Sequence, residues 1–197
     1  MPNKVAFIVV GWNNKDLLEE CLRSILDQTY EHTDIYYVDN GSTDGSHGYV
    51  KTEFPSVKIV LPGYNTGFAK GNNIGISTAL EDPDVGHVAL LNSDARLDKE
   101  WTERLVGFTR TKPRAALLQG TTLDYYDHGI IDSTHVYISH NGQGTQGSWR
   151  HYCQSELGPK KVFGVNAAAC LITRRFIEAQ PFKQLFDERM FMYLEDV

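Results

Sequence analysis

The residues best suited to chemistry are acidic side chains at the ends of short apolar runs. Asp39 follows residues 35–38 directly, and Asp94 is the third residue after the run 88–91. A carboxylate delivered at the end of a buried strand suits a divalent cation, because magnesium is commonly held by carboxylates together with phosphate oxygens of a bound molecule. A turn that caps the next helix would use the same residue types. The pattern therefore leaves a cation site and a capped turn both open.

The start of a helical pattern near Gly67 is a second candidate site. Backbone N–H groups in the first turn of a helix have no partner within the helix, and together with the helix dipole they favour an anion. Lys70 in this first turn would add positive charge, although a solvated lysine is equally compatible with the pattern. We therefore expect an anion to bind free N–H groups at this helix start.

Apolar runs alternate with helical patterns in the first half of the chain. Such alternation predicts an α/β fold with an open, mostly parallel sheet and helices on both faces. Ligands of these sheets bind outside the carboxyl ends of the strands, so the polar turns after the runs should form one site. The runs are residues 5–10, 35–38, 57–61 and 88–91, and the turns are residues 12–14, 39–44, 63–67 and 92–94.

The second half of the chain is less regular. A fifth strand is predicted at residues 115–120, but residues 124–160 are rich in Gly, His, Tyr, Asp and Ser and show no helical period. This composition predicts short strands and long loops. Regular structure is predicted again at residues 162–165 and 167–173, followed by a short helix near Arg175.

Residues 142–147 match the GxGxxG string of dinucleotide-binding proteins. That fingerprint requires a buried strand before it and a helix after it, and the sequence offers neither. A flexible loop is therefore the favoured interpretation, and a dinucleotide-dependent oxidoreductase remains a less favoured alternative.

Composition limits the class of protein. With 197 residues, of which 41% are hydrophobic and 22% charged, the chain is expected to form one soluble globular domain. A formal net charge of −6 argues against nucleic acid as a partner, because that binding depends on lysine and arginine. Cys21 and Cys170 fall in apolar patterns and are expected in the core, as in a protein of a reducing compartment. No apolar run is long enough for a transmembrane segment, so a cytoplasmic location is expected.

Several stretches together resemble a family 2 glycosyltransferase of the GT-A fold, most closely its bacterial rhamnosyltransferase-type members. The resemblance depends on the order and spacing of the stretches and covers nearly the whole chain. The matching stretches are residues 9–13, 28–30, 38–45, 65–73, 90–94, and 186–188 with 193–197.

The resemblance implies an inverting transfer of a sugar from a dTDP- or UDP-sugar donor to a hydroxyl group of a saccharide or lipid-linked saccharide acceptor, in bacterial cell-surface polysaccharide synthesis. Asp39 would bind the base, and Asp94 would bind a divalent cation, Mg2+ or Mn2+, that bridges the diphosphate. Asp196 would be the general base, assisted by Glu195. The implied donor-binding residues are Trp12, Asn13, Asp39, Asn40, Gly67, Lys70, Asn73, Asn92, Ser93 and Asp94.

The chain departs from the family pattern in specific places. Asn92 stands where the DxD motif has its first acid, and Gly11 stands where the first strand usually ends in Asn. Family members continue well beyond the Glu-Asp pair, so the resemblance implies a chain that is truncated at its carboxyl end.

The resemblance also implies a single domain, residues 1–197, with two functional halves. Residues 1–120 would bind the nucleotide-sugar, and residues 121–197 would form the acceptor and catalytic half, with peripheral association at the inner face of the membrane. The alternative of another class is a non-catalytic module that binds a nucleotide-sugar or a carbohydrate.

Overall fold

The computed structural model of the chain describes residues 3–153 and 158–191. Glu195 and Asp196 therefore lie outside the described residues. The strands are β1 (Lys4–Gly11), β2 (Thr33–Asp39), β3 (Lys58–Val60), β4 (Val85–Leu91), β5 (Leu117–Gln119), β6 (Thr122–Leu123), β7 (Ile131–Ser133), β8 (Val136–Ile138), β9 (Gly144–Gln146) and β10 (Ala169–Thr173). The helices are α1 (Lys15–Leu26), α2 (Ser46–Glu53), α3 (Gly67–Ala79), α4 (Trp101–Thr111) and α5 (Arg174–Glu178), and a 3-10 turn follows at Pro181–Lys183.

The central sheet has six strands in the order β3-β2-β1-β4-β10-β5. The first four strands of this order are mutually parallel, and β10 runs antiparallel between β4 and β5. The predicted mostly parallel α/β sheet is confirmed. The position of β10 was not predicted, because its pairing with β4 joins residues as far apart in the chain as Ala169 and Leu91.

Strand β1 is buried on both of its faces, which explains its continuous apolar sequence. Val5, Phe7 and Val9 point into a core cluster that α1, α2 and α4 cover. Ala6 and Ile8 point into a second cluster that contains residues of α3 and α5. Each fully buried large side chain contributes about 1.5–3 kcal/mol of transfer free energy. These two layers fix β1 and its neighbours, and thereby the position of the loops that follow them.

The segment between β5 and β10 forms two small ladders, β6 with β7 and β8 with β9. The GxGxxG string is therefore part of a β-hairpin, since Gly144–Gln146 pairs with Val136–Ile138. Among the residues that the structure describes between β9 and β10, none is helical. The expectation of a flexible loop was wrong for these residues, while the pairing also removes the structural context that a dinucleotide site needs.

Residues 162–165 were expected to be regular, and this prediction was wrong. Only an isolated bridge joins Gly164 to Val136. The side chains of Val162 and Phe163 are exposed, so this short apolar run lacks the packed face that would sustain a strand.

None of the helices in the described ranges is long and apolar enough to cross a membrane.

Candidate functional site

The carboxyl ends of β1, β2 and β4 meet at one edge of the sheet, because the three strands are adjacent and parallel. Asp39 pairs with Gly11, and Leu90 pairs with Ile8. Asp94 lies in the turn that follows β4, three residues beyond its last residue Leu91. Asp39 is the last residue of β2. The structure thus brings the two predicted acids to the same edge.

The loop after β2 is organised by the buried side chain of Asn40. Its Oδ1 accepts hydrogen bonds from the backbone N–H of Thr66 at 2.9 Å and from its hydroxyl group at 2.7 Å. Its Nδ2 donates to Oδ1 of Asn65 at 3.1 Å and to the carbonyl oxygen of Gly67 at 3.0 Å. All the hydrogen-bonding capacity of this amide is used within the protein. Asn40 therefore joins the loop after β2 to the start of α3, and its amide has no capacity left for a ligand.

The loops after β1 and β2 are also bound to each other. Oδ1 of Asn13 accepts a hydrogen bond from the backbone N–H of Thr43 at 2.8 Å, and the N–H of Asn13 donates to Oγ of Ser42 at 3.0 Å. Asn13 adopts a positive φ of 51°, a conformation that asparagine tolerates better than most residues. Beside it, Trp12 is 56% exposed, so its indole presents a free flat surface at this edge.

Asp44 has a structural role that the sequence patterns did not assign to it. Its carboxylate accepts hydrogen bonds from the N–H of Lys15 at 2.9 Å and from the N–H of Ser46 at 3.0 Å, so it caps the start of α1 as well as α2. Burial opposes its ionisation, but the hydrogen bonds from Ser46 and Lys15 outweigh burial and lower the pKa of Asp44. The loop after β2 is thereby held against α1.

Asp39 ends β2 and is almost fully buried, with 3% of its surface exposed. Its Oδ1 accepts a hydrogen bond from the N–H of Ser42 at 2.9 Å, so the turn fixes the orientation of the carboxylate. The hydrogen bonds found for Asp39 within the described ranges leave Oδ2 as the oxygen able to accept from a ligand.

Two N–H groups at the start of α3 that were expected to be free have acceptors within the protein. The N–H of Gly67 donates to Oδ1 of Asn65 at 3.0 Å, and the N–H of Phe68 donates to the carbonyl oxygen of Phe191 at 2.8 Å. A neighbouring side chain thus occupies the Gly67 donor, and a distant segment that reaches back to the helix occupies the Phe68 donor. Lys70 also has a protein partner, the Tyr64 hydroxyl at 3.2 Å, which raises the pKa of Lys70.

Asn73 is buried one turn further along α3, and its amide contacts the segment around Phe186. Nδ2 donates to the carbonyl oxygen of Phe186 at 2.9 Å and to Oε1 of Glu188 at 3.3 Å. Oδ1 accepts hydrogen bonds from the N–H groups of Leu185 and Phe186, both at 3.2 Å. Like the amide of Asn40, this side chain is occupied by the protein, so it is available to position the chain but not to bind a donor.

The turn after β4 carries the exposed carboxylate of Asp94. The backbone of Asn92 is fixed on both sides: its N–H donates to Ala168 at 2.8 Å, and its carbonyl oxygen accepts from Sγ of Cys21 at 3.5 Å. Burial raises the pKa of the Cys21 thiol to about 12, and the charge of Asp94 adds to the effect. The predicted burial of Cys21 and Cys170 is confirmed. Ser93, between Asn92 and Asp94, is partly exposed.

A cleft of about 480 Å³ lies between α1 and the turn after β4. Asp94, Glu20 and Tyr125 line it, and the Tyr125 hydroxyl donates a hydrogen bond to the Glu20 carboxylate. Asp39 does not line this cleft. This cleft therefore contains one of the two acids at the sheet edge.

The residues at the tip of β4 fit a hard divalent cation as a partial site. No group of three or more His, Cys, Asp or Glu side chains that could hold a metal ion occurs within residues 3–153 and 158–191. One carboxylate next to the amide and hydroxyl oxygens of Asn92 and Ser93 supplies oxygen donors, which Mg2+ and Mn2+ prefer, and phosphate oxygens of a substrate usually complete such sites.

Comparisons with known proteins agree with this fold. Residues 6–176 match the family model described as glycosyl transferase family 2. The chain is 30% identical over 132 residues to a putative teichuronic acid biosynthesis glycosyltransferase, TuaG, of Bacillus subtilis, covering 65% of this chain and 50% of that protein. It is 28% identical over 217 residues to the N-acetylglucosaminyl-diphospho-decaprenol L-rhamnosyltransferase of Mycobacterium tuberculosis, covering 100% of this chain and 69% of that protein.

Solved structures show the same GT-A-like architecture. The mannosyltransferase PcManGT from Pyrobaculum calidifontis, in complex with GDP-Man and Mn2+, superposes with a TM-score of 0.58 at 17% identity over 94% of this chain and 48% of its own. TarS 1-349 of S. aureus, in complex with UDP, gives 0.56 at 21% identity over 64% of this chain and 37% of its own. The chain thus spans about half of the length of TuaG and of PcManGT. With the family model matched over residues 6–176, the chain belongs to glycosyl transferase family 2.

Proposed function

We propose that the carboxyl edge of the sheet binds a nucleotide-diphospho-sugar and that the protein transfers its sugar, with inversion, to a hydroxyl group of a saccharide or lipid-linked saccharide in bacterial cell-surface polysaccharide synthesis. The observation that carries the proposal is the exposed Asp94 carboxylate at the tip of β4, on the same edge as Asp39. The relatives named as a teichuronic acid glycosyltransferase and a rhamnosyltransferase support the acceptor class.

The base and ribose of the donor would lie over the ends of β1 and β2. Ser42 fixes the Asp39 carboxylate through Oδ1, which leaves Oδ2 to accept a hydrogen bond from the base or the ribose. The exposed Trp12 offers a flat apolar surface beside it, on which a ring can stack. A dTDP- or UDP-sugar is the proposed donor.

The diphosphate would lie between these loops and the turn after β4. Asp94 would hold Mg2+ or Mn2+, with Asn92 and Ser93 beside it in the chain, and the cation would neutralise charge on the departing nucleoside diphosphate as a Lewis acid. The bound Mn2+ of the mannosyltransferase with the same fold supports this part of the proposal. The carboxylate of Asp94 would thus set the position of the diphosphate at the sheet edge.

Asp196 is the proposed general base, with Glu195 assisting it. Both follow Phe191, whose carbonyl oxygen is bound to the start of α3. Five residues of chain span at most about 18 Å, a length that would allow Asp196 to reach the sheet edge. A carboxylate there would take the proton of the acceptor hydroxyl as that oxygen attacks the sugar. Residues 1–120 would then form the donor half and residues 121–197 the acceptor half, and the cytoplasmic location remains a prediction.

The donor site is tested by titrating the protein with UDP or dTDP, with and without Mn2+, and measuring nucleotide binding by calorimetry. We expect Asp94→Ala to weaken Mn2+-dependent nucleotide binding by about tenfold or more, since it removes the only carboxylate in the turn. Asp84→Ala is the matched control, because Asp84 is an exposed acid that immediately precedes β4, at the opposite edge of the sheet. Equal Mn2+-dependent affinity in the Asp94 variant and the wild type would exclude this assignment.

The base is tested separately by Asp196→Asn in the full-length protein. Donor affinity should remain, and sugar transfer should stop. Undiminished transfer in this variant rules out Asp196 as the base. If the wild-type full-length protein binds nucleotides but transfers no sugar to any acceptor supplied, the protein is a binding module.

A further inference from the structure

A short segment, residues 185–191, lies against α3 and is called here the strap. One side chain, Asn73, holds its first part. The Asn73 amide makes hydrogen bonds to the N–H groups of Leu185 and Phe186, to the carbonyl oxygen of Phe186 and to the Glu188 carboxylate, at distances from 2.9 to 3.3 Å. Only 7% of the Asn73 surface is exposed, and its two bonds to the backbone of Phe186 are buried.

The end of the strap is bound to the start of the same helix. The Phe191 carbonyl oxygen accepts a hydrogen bond from the N–H of Phe68 at 2.8 Å. A side chain at Gly67 would collide with this oxygen, because a Cβ atom built there lies 2.4 Å from it. The rings of Phe68 and Phe186 pack edge to face, with centroids 5.7 Å apart. The strap is therefore anchored to α3 at both of its ends.

The start of α3 is itself part of the proposed donor edge, since Asn40 binds Thr66 and Gly67 from the end of β2. The strap continues directly into residues 192–197, which contain the proposed base Asp196. We propose that Asn73 is a positioning residue for transfer: through the strap it sets where the chain that carries Asp196 leaves the donor edge. This inference rests on the proposed function.

The chemistry of an amide explains why asparagine suits this position. The strap presents two N–H donors and two oxygen acceptors to one side chain. Only an amide of this length supplies an acceptor oxygen and two N–H donors together. An aspartate keeps the bonds from Leu185 and Phe186 but loses the donation to Phe186, and it places a second carboxylate beside Glu188.

The first measurement is hydrogen exchange of the strap. We expect Asn73→Ala to speed exchange at the Leu185 and Phe186 amides by at least about tenfold, because their acceptor is removed. Asn72→Ala is the matched control: Asn72 is the neighbouring buried asparagine, and its Nδ2 donates to Phe68 within the same helix at 3.0 Å. Unchanged exchange in the Asn73 variant would overturn the inference.

The second measurement separates binding from turnover in the full-length protein. Asn73→Ala should lower kcat by about 10²-fold, as expected when a reacting group is displaced by about 1 Å, while the donor Kd stays within about twofold. Asn72→Ala should leave both constants unchanged. A normal kcat despite rapid exchange of the strap refutes the positioning role. A weaker donor Kd with normal kcat would instead make Asn73 a donor ligand.

Asn73→Asp keeps two of the four hydrogen bonds to the strap and serves as a second variant if Asn73→Ala does not fold. The Asn73→Asp variant should have a lower kcat. Adding Glu188→Gln should restore part of the lost kcat, because the new amide at position 188 can donate to the aspartate. Absence of rescue counts against the proposed geometry. If Asp196→Asn stops transfer while the Asn73 variants transfer sugar normally, only the positioning role of Asn73 is refuted. If the Asp196→Asn variant transfers sugar normally, the proposed role of Asp196 as the base is refuted instead.

Discussion

Replacing Gly67 by alanine tests whether the contact between α3 and Phe191 stabilises the fold. Gly67 combines a φ of +79° with a Cβ position 2.4 Å from the Phe191 carbonyl oxygen. Alanine would therefore introduce backbone strain and would also displace the oxygen that accepts the Phe68 N–H. Two independent physical effects act at this one position.

The expected loss follows from the sum of these effects. The left-handed conformation costs a residue with a Cβ atom about 1–2 kcal/mol, while the reduced freedom of the unfolded chain returns about 0.4–1 kcal/mol. The lost hydrogen bond contributes about 0.5–1.5 kcal/mol more. Gly67→Ala should thus lower the free energy of unfolding by about 2 kcal/mol.

Two other glycines separate the effects. Gly63 has a φ of +87° and nothing within 4 Å of its Cβ position, so Gly63→Ala measures the backbone strain alone. Gly107 lies within α4 with a free Cβ position and no positive φ, and Gly107→Ala should stabilise by about 0.5–1 kcal/mol through helix propensity. The free energy of unfolding is measured by urea denaturation at constant m-value.

The comparison has a clear negative outcome. Equal free energies of unfolding for Gly67→Ala and Gly63→Ala would mean that the Phe191 contact adds nothing, and the account of the strap would lose its anchor at the helix start. A Gly67→Ala protein as stable as Gly107→Ala would also contradict the backbone conformation given for Gly67.

Two further predictions concern titratable groups. Cys153 is exposed, whereas burial raises the pKa of the Cys21 thiol to about 12, so a thiol reagent at about pH 8 should modify Cys153 rapidly and Cys21 only on unfolding; rapid modification of Cys21 in the native protein would contradict its burial. Burial, and then the charge of Arg110, lowers the pKa of His87. The unfolded state therefore takes up the proton first, and the free energy of unfolding should fall as the pH drops below about 6.5. His87→Gln should reduce the difference between the free energies of unfolding measured by urea denaturation at about pH 7.5 and about pH 5.5. An unchanged difference would exclude His87 as the source of the pH dependence.

The first half of the fold was predictable because its signals are local. The apolar sequence of β1 reflects burial on both faces, and the turn formers after β2 mark where the strand stops. Sequence order then places these strand ends on one edge by the rules of parallel sheets. This pattern alone made Asp39 and Asp94 the candidates at that edge.

The partners of the asparagines were not predictable in the same way. Asn73 binds a segment more than 110 residues away, and no local property of either stretch indicates the other. For the same reason the start of α3 appeared free, although Phe191 occupies it. Sequence motifs made these residues candidates for donor binding, and the long-range contacts show that their amides are bonded within the protein.

The antiparallel insertion of β10 makes the segment between β5 and β10 a place where the sequence can change in evolution. Because β5 runs parallel to β4 while β10 opposes both, the chain leaves the sheet after Gln119 and re-enters it at Ala169, and Gln119 pairs with Cys170 of the returning strand. The two junctions of the intervening segment are neighbours at the edge of the sheet where the donor is proposed to bind. Evolution can exchange or enlarge this segment while the strands beneath it stay intact.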